Sequence, residues 1–149
     1  MRIRYLDGPR LRRGLLAACE HARSQRAELN RINVFPVPDG DTGTNLALTV
    51  RAVADHLRPA RAESVHEIAV VAAEGAVLGA RGNCGMMLSH FLLGFADALE
   101  GRSRIGTAEL GTALPYVRSK YVRPFRSHTR AICAPPCSEP PVGPGMCAR

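Results

Sequence analysis

Apolar residues along this chain recur at intervals of three and four, the spacing that lines one face of a helix. Leu11, Leu15, Ala18, Ala22 and Leu29 make the first stripe, with Arg12, Arg13, Glu20 and Arg26 toward water, and predict a helix over about 10–29. Leu46, Val50, Val53 and Leu57 make a second, starting near Thr44 or Asn45 and stopped by Pro59. Ser64 with Glu67 three residues on reads as a capping box, opening a third helix through Ile68, Val71, Ala72 and Ala76. A fourth follows the glycine-rich stretch 79–85 and buries Leu88, Phe91, Leu92, Phe95 and Leu99. Thr107 caps a fifth, carrying Leu110, Ala113 and Leu114. Strand-like alternation of useful length is missing, so the pattern predicts an all-α body.

Beyond Pro115 the periodicity fades, and six of the eleven prolines fall there. Such a segment buries too little apolar surface to offset its ordering entropy. The chain therefore divides into a body, 6–115, and a low-complexity basic tail, 116–149, expected to be disordered from about residue 122. Charge follows the same division. The body holds 14 arginines against 12 acids, whereas the tail holds six basic residues against one acid, so most of the net +7 sits in the tail. No basic face studded with aromatics remains on the body, and nucleic-acid binding is not expected.

Cysteines add little. Cys19 and Cys84 lie in the body and Cys133, Cys137 and Cys147 in the tail, an odd count that makes a poor disulfide framework. The Cys133–Cys137 spacing, even with His128, is a weak zinc signal. No apolar run approaches the roughly 20 residues of a membrane span, and the first residues lack the apolar core of a signal peptide. A cytoplasmic location is expected.

Candidate chemistry concentrates where the helical pattern breaks, in Asn33-Val34-Phe35-Pro36-Val37-Pro38-Asp39-Gly40-Asp41-Thr42-Gly43-Thr44-Asn45. Prolines and glycines hold Asp39 and Asp41 one residue apart, where like charges repel. A hard cation such as Mg²⁺ cancels that repulsion and takes oxygen ligands, with Asn33 as a further neutral oxygen. Thr42 and Thr44 offer hydroxyls, and the helix behind them aims free N–H groups at the same spot. The plainer alternative is a Pro-Asp-Gly turn whose aspartates cap the next helix.

The second turn, Gly79-Ala80-Arg81-Gly82-Asn83-Cys84-Gly85, again opens a helix and lets backbone approach an anion. It lacks the Gly-Lys-Ser/Thr ending of a Walker loop, and a glycine-rich helix connection explains it equally well. Met86, Met87 and Leu88 are candidates for the floor of a base pocket or for core filling. The histidines at 21, 56, 66 and 90 are scattered, and no partner places Cys84 as a nucleophile.

On these residues the chain resembles the L-subunit type nucleotide-binding domain of the dihydroxyacetone kinase family, and most closely the N-terminal domain of bacterial fatty acid kinases. The match is carried by Leu6-Asp7-Gly8 with Leu11, by Leu29-Asn30-Arg31-Ile32 running into the acidic turn through Asn45, and by Gly79-Ala80-Arg81-Gly82-Asn83 with Gly85, Leu88 and Ser89. It extends from about Leu6 to Leu114. The resemblance implies a partial antiparallel helical bundle or barrel that binds ATP, or ADP after transfer, through Mg²⁺ at one end. It implies Asp39 and Asp41 as metal ligands with Asn33 near a third. Thr42, Thr44 and Asn45 then stand around the phosphates, with Gly82, Asn83, Cys84 and Gly85 as the second phosphate loop. The acceptor it implies is a fatty acid carboxylate presented by a fatty-acid-binding carrier protein; a homodimer is left open.

Two features depart from the family. Cys84 stands where a serine is usual, replacing a hydroxyl by a weaker thiol donor. After about residue 115 the further helices and a Pro-Val-Glu-Gly-Thr-like segment of the family give way to the proline- and cysteine-rich tail. The whole chain holds 19 arginines to one lysine, as a GC-rich gene would give, and the tail reads as a truncated or out-of-frame product of such a gene. Two other functions stay open: a dihydroxyacetone (glycerone) kinase subunit acting on a small ketone, and a non-catalytic helical remnant.

Overall fold

The computed structural model describes residues 5–33 and 39–117. Tyr116 and Val117, set in the tail by the sequence, belong to the last helix, with Val117 buried; expectations for 118–149, including Cys133, Cys137, Cys147 and His128, lie outside the described residues. Within them run β1 (Leu6–Asp7), α1 (Gly8–Ser24), α2 (Arg26–Arg31), α3 (Thr42–Leu57), α4 (Val65–Leu78), α5 (Gly82–Ala98), β2 (Arg104–Ile105) and α6 (Thr107–Val117). The fold is all-α. Its only extended pair among the described residues is β1 against β2, antiparallel with Leu6 opposite Ile105, too short to show as alternation in sequence.

The four long helices form an antiparallel bundle with α4 at its centre. Residues moving forward along α4 meet residues moving backward along α3: Gly75 lies against Val53, Gly79 against Ala52, and Arg81 bonds Thr49. At the start of α4, His66 reaches the carbonyl of Ala96 at the far end of α5. α4 can be central because its buried residues are mostly small: Ala69, Ala72, Ala73, Gly75 and Ala76 beside Val65 and Ile68. A β-carbon on Gly79 would fall 2.1 Å from the Ala52 side chain, so these two helices touch almost backbone to backbone. Leu57, Ile68, Leu99 and Ile105 close the core, each contributing about 1.5–3 kcal/mol by burial.

Several local expectations change. The predicted first helix is two: Ser24 turns its hydroxyl onto the carbonyl of His21, and the chain breaks at Gln25 before α2. The buried face of α1 is Leu11 and Cys19 with half-buried Leu15, Leu16 and Ala22, while Ala18 is exposed. Arg12 is not a solvent residue; its guanidinium donates to the carbonyls of Leu57 and Arg58 and closes the C-terminal end of α3. The Ser64–Glu67 capping box does not form, because Ser64 Oγ donates to the carbonyl of Arg102 instead. α6 starts at Thr107 and runs through Pro115 to Val117, with Leu114 exposed rather than buried. Phe95 is buried, and half-buried Phe91 stacks on it with ring centroids 6.4 Å apart.

Candidate functional site

Two connections meet at one end of the bundle, the chain entering α3 and the chain entering α5. In the first, Gly40 adopts φ 66°, a conformation in which glycine avoids strain, and this reverses the chain between Asp39 and Asp41. Asp39 Oδ1 accepts from Asn33 Nδ2 at 2.7 Å and from the Asp41 backbone N–H at 3.4 Å. The three metal-ligand candidates therefore share one small turn. Asn33 Oδ1 and the Asp41 carboxylate have no hydrogen-bond partner among the described residues.

Asp41 is the N-cap residue of α3 by position, yet its side chain makes no capping bond. Asp41 is therefore not a helix cap, whereas Asp39 bonds the backbone N–H two residues on as a plain Asp-Gly turn does. The helix start is held from the other side. Asn30 Oδ1 accepts the Thr44 N–H at 3.1 Å, and Asn30 Nδ2 donates to Thr44 Oγ1 at 3.0 Å. Arg26 Nε donates to the same hydroxyl at 3.2 Å. Gly43 permits this approach, since a β-carbon there would sit 2.2 Å from the Arg26 carbonyl. The N–H groups of Thr42 and Gly43 are left as the open end of α3.

The second connection lies against the first. Gly82, at φ 59°, faces the Asn45 side chain so closely that a β-carbon would come 2.8 Å from Nδ2. The Cys84 thiol donates to the carbonyl of Thr42 at 3.5 Å, tying the two helix starts together. Burial pushes that thiol above its ordinary range; backbone N–H groups of Gly85 and Cys84 pull it back, and the Asp41 carboxylate raises it again. Gly85 is buried against Thr49, and Asn83 is exposed at the rim. Arg81, the N-cap of α5, makes no side-chain cap, so this helix too presents uncapped N–H groups.

Thr49 sets the spacing. It is fully buried in α3, where its hydroxyl donates to the Asn45 carbonyl at 2.9 Å and accepts the Arg81 N–H at 3.0 Å. Met86 and Met87 are exposed, while Leu88 packs partly buried on the core. Sequence reading assigned no role to Asn30, Arg26 or Thr49. Their signal was long-range, since each meets its partner only once the chain has folded.

No group of three or more His, Cys, Asp or Glu stands together among the described residues. What the turn offers is two carboxylates and an amide oxygen, a hard-oxygen set that fits Mg²⁺, which completes its shell with water and phosphate oxygens. Soft or borderline metals have no thiolate–imidazole set here. Of the histidines elsewhere, His56 bonds the Ala52 carbonyl and His66 that of Ala96, while His21 is exposed.

Two helix N-termini facing one acidic turn in an all-helical bundle define a class of domain suited to an anion paired with a divalent cation. Residues 36–127 match the DAK2 domain family, and the chain belongs to it. It is 34% identical over 114 residues to Protein YloV of Bacillus subtilis, covering 76% of this chain and 21% of that protein. An uncharacterized protein of Staphylococcus haemolyticus, SH1689, is 36% identical over 91 residues, covering 60% of this chain and 16% of its own length. The chain thus spans about a fifth of these relatives. Among the described residues, no helix is long and apolar enough to cross a membrane.

Proposed function

We propose that this chain carries an ATP- and Mg²⁺-dependent phosphoryl-transfer site acting in the cytoplasm, with Asp39, Asp41 and Asn33 as metal ligands. The observation that carries the reading is the meeting of two helix starts, neither capped by its own N-cap side chain, beside an Asp41 carboxylate that caps nothing and an Asp39 held next to it by Asn33. Bound Mg²⁺ supplies charge neutralisation and orientation of the phosphate oxygens. The N–H groups at Thr42 and Gly43, and those opening α5 at Gly82 and Asn83, hold the phosphates. Thr42, Asn45, Cys84 and Gly85 shape that cradle, whereas Thr44 is turned to Asn30 and Arg26 and holds the start of α3 from behind. Asn33 orients Asp39 through the hydrogen bond it donates.

In the reaction the bond between the γ-phosphorus and the β–γ bridging oxygen breaks, and a bond from that phosphorus to an acceptor oxygen forms, releasing ADP. We take the acceptor to be a fatty acid carboxylate delivered by a fatty-acid-binding carrier protein. A carboxylate arrives ionised and needs no base, which suits a turn without a histidine among its described residues. A dihydroxyacetone hydroxyl must lose a proton, so the glycerone kinase reading needs a base from elsewhere.

Thermal unfolding with ATP tests the proposal. ATP with Mg²⁺ should raise Tm, ATP with a chelator should not, and Asp39→Asn or Asp41→Asn should abolish the rise. No rise at millimolar nucleotide would identify the chain as a non-catalytic remnant.

A further inference from the structure

On the flank of α3 opposite the α5 contact lies a cleft of about 310 Å³ between α1, α2 and α3. Arg23 and Glu20 of α1, Arg26 of α2, and Thr44 and Arg51 of α3 line it, with Ala47 and Leu48 as an apolar wall. Three guanidinium groups thus surround one hollow with a single carboxylate among them, an arrangement that repels itself unless an anion enters. Only Arg23 is firmly paired, to Glu20 at 2.9 Å. Arg26 spends its Nε on Thr44, leaving both terminal nitrogens without a partner among the described residues. Arg51 reaches Asp55 only at 3.8 Å and is two-thirds exposed. Thr44 Oγ1 accepts two hydrogen bonds, from Asn30 and Arg26, so its own O–H remains to donate into the hollow.

We infer that this cleft is an oxyanion site for a phosphate group, held by Arg26, Arg51 and the Thr44 hydroxyl. Guanidinium donors match the oxygen spacing of phosphate, and the hollow admits a phosphate or small phosphate monoester. The site is separate from the acidic turn and does not depend on the metal there. It shares Arg26 and Thr44 with the start of α3, so occupancy bears directly on the helix that carries Asp41.

The test follows the arginine Nε–H resonances of the full chain as inorganic phosphate is added, with chelator present and ionic strength held by chloride. The signals of Arg26 and Arg51 should shift together and saturate. Arg26→Gln and Arg51→Gln should each weaken binding about tenfold, as loss of a charge-assisted pair predicts. Arg13→Gln, an equal charge change on exposed α1 surface, should leave it intact. Arg51→Gln removes no close contact of the fold, so its result stands even if Arg26→Gln unfolds. Shifts that fail to saturate, or that chloride reproduces, would overturn the assignment, as would acetate binding as tightly as phosphate. Asp39→Asn with Asp41→Asn should leave phosphate binding unchanged; its loss there would place the anion at the acidic turn and refute a second site. Glucose 6-phosphate in place of free phosphate distinguishes a monoester ligand from the inorganic ion.

Discussion

Asp7 and Asp41 both stand at the N-cap of a long helix, and the fold treats them differently. Asp7 accepts the Arg10 N–H at 3.0 Å through Oδ1 and the Arg10 guanidinium at 2.7 Å through Oδ2, so both oxygens serve α1. Asp41 makes no such bond at α3. The contrast extends to the ends of the bundle they occupy. At the Asp7 end, Gly8 bonds Glu63, Ser64 bonds Arg102, and Arg12 closes α3. At the Asp41 end, two helix starts are left open. One end is spent on stability, and at the other neither N-cap side chain bonds its helix.

The sharpest way to break this contrast is to exchange the damage. Asp41→Asn should lower Mg²⁺-dependent ATP affinity about 100-fold or more, worth about 2.8 kcal/mol, while leaving Tm almost unchanged, as titration calorimetry and thermal unfolding would show. A loss of stability comparable to that of an Asp7 variant would mean that Asp41 belongs to the fold after all.

Gly43→Ala comes next. Its β-carbon would meet the Arg26 carbonyl at 2.2 Å, and the strain should cost about 2 kcal/mol in urea unfolding and displace the turn with it. Thr49→Val keeps the shape of the core but leaves the Arg81 N–H without its acceptor, at a cost of about 1–2 kcal/mol. It should also loosen nucleotide binding, because the two helix starts lose their common anchor. Asp7→Ala should cost about 1 kcal/mol and leave nucleotide affinity untouched.

The smallest effect concerns Cys84. With its pKa raised mainly by burial, the thiol favours the folded state below the ordinary thiol range, and that contribution is lost as pH rises through the folded value. Site-resolved alkylation at pH 8 should be slower at Cys84 in the folded chain than after unfolding. Mg²⁺ with ATP should slow it further.

The helices were legible because their signal is local. The stripes Leu46–Val50–Val53–Leu57 and Leu88–Leu92–Phe95–Leu99 each need only their own periodicity, and the structure buries most of those residues. The acidic turn was legible as chemistry because two carboxylates flank one glycine in a short proline-bounded run. What failed was competition between partners distant in sequence. Arg12 looks like a solvent residue until the end of α3 arrives 45 positions later, and Ser64 looks like a cap until Arg102 claims it. Asn30 likewise has no visible role until Thr44 is beside it.

Thr49 carries a further implication. Because one hydroxyl inside the bundle fixes both the chain before α5 and the first turn of α3, the gap between the two loops is inherited from the interior. Rim residues such as Asn83 can therefore drift without the loops losing alignment, whereas a single interior methyl-for-hydroxyl exchange shifts both at once.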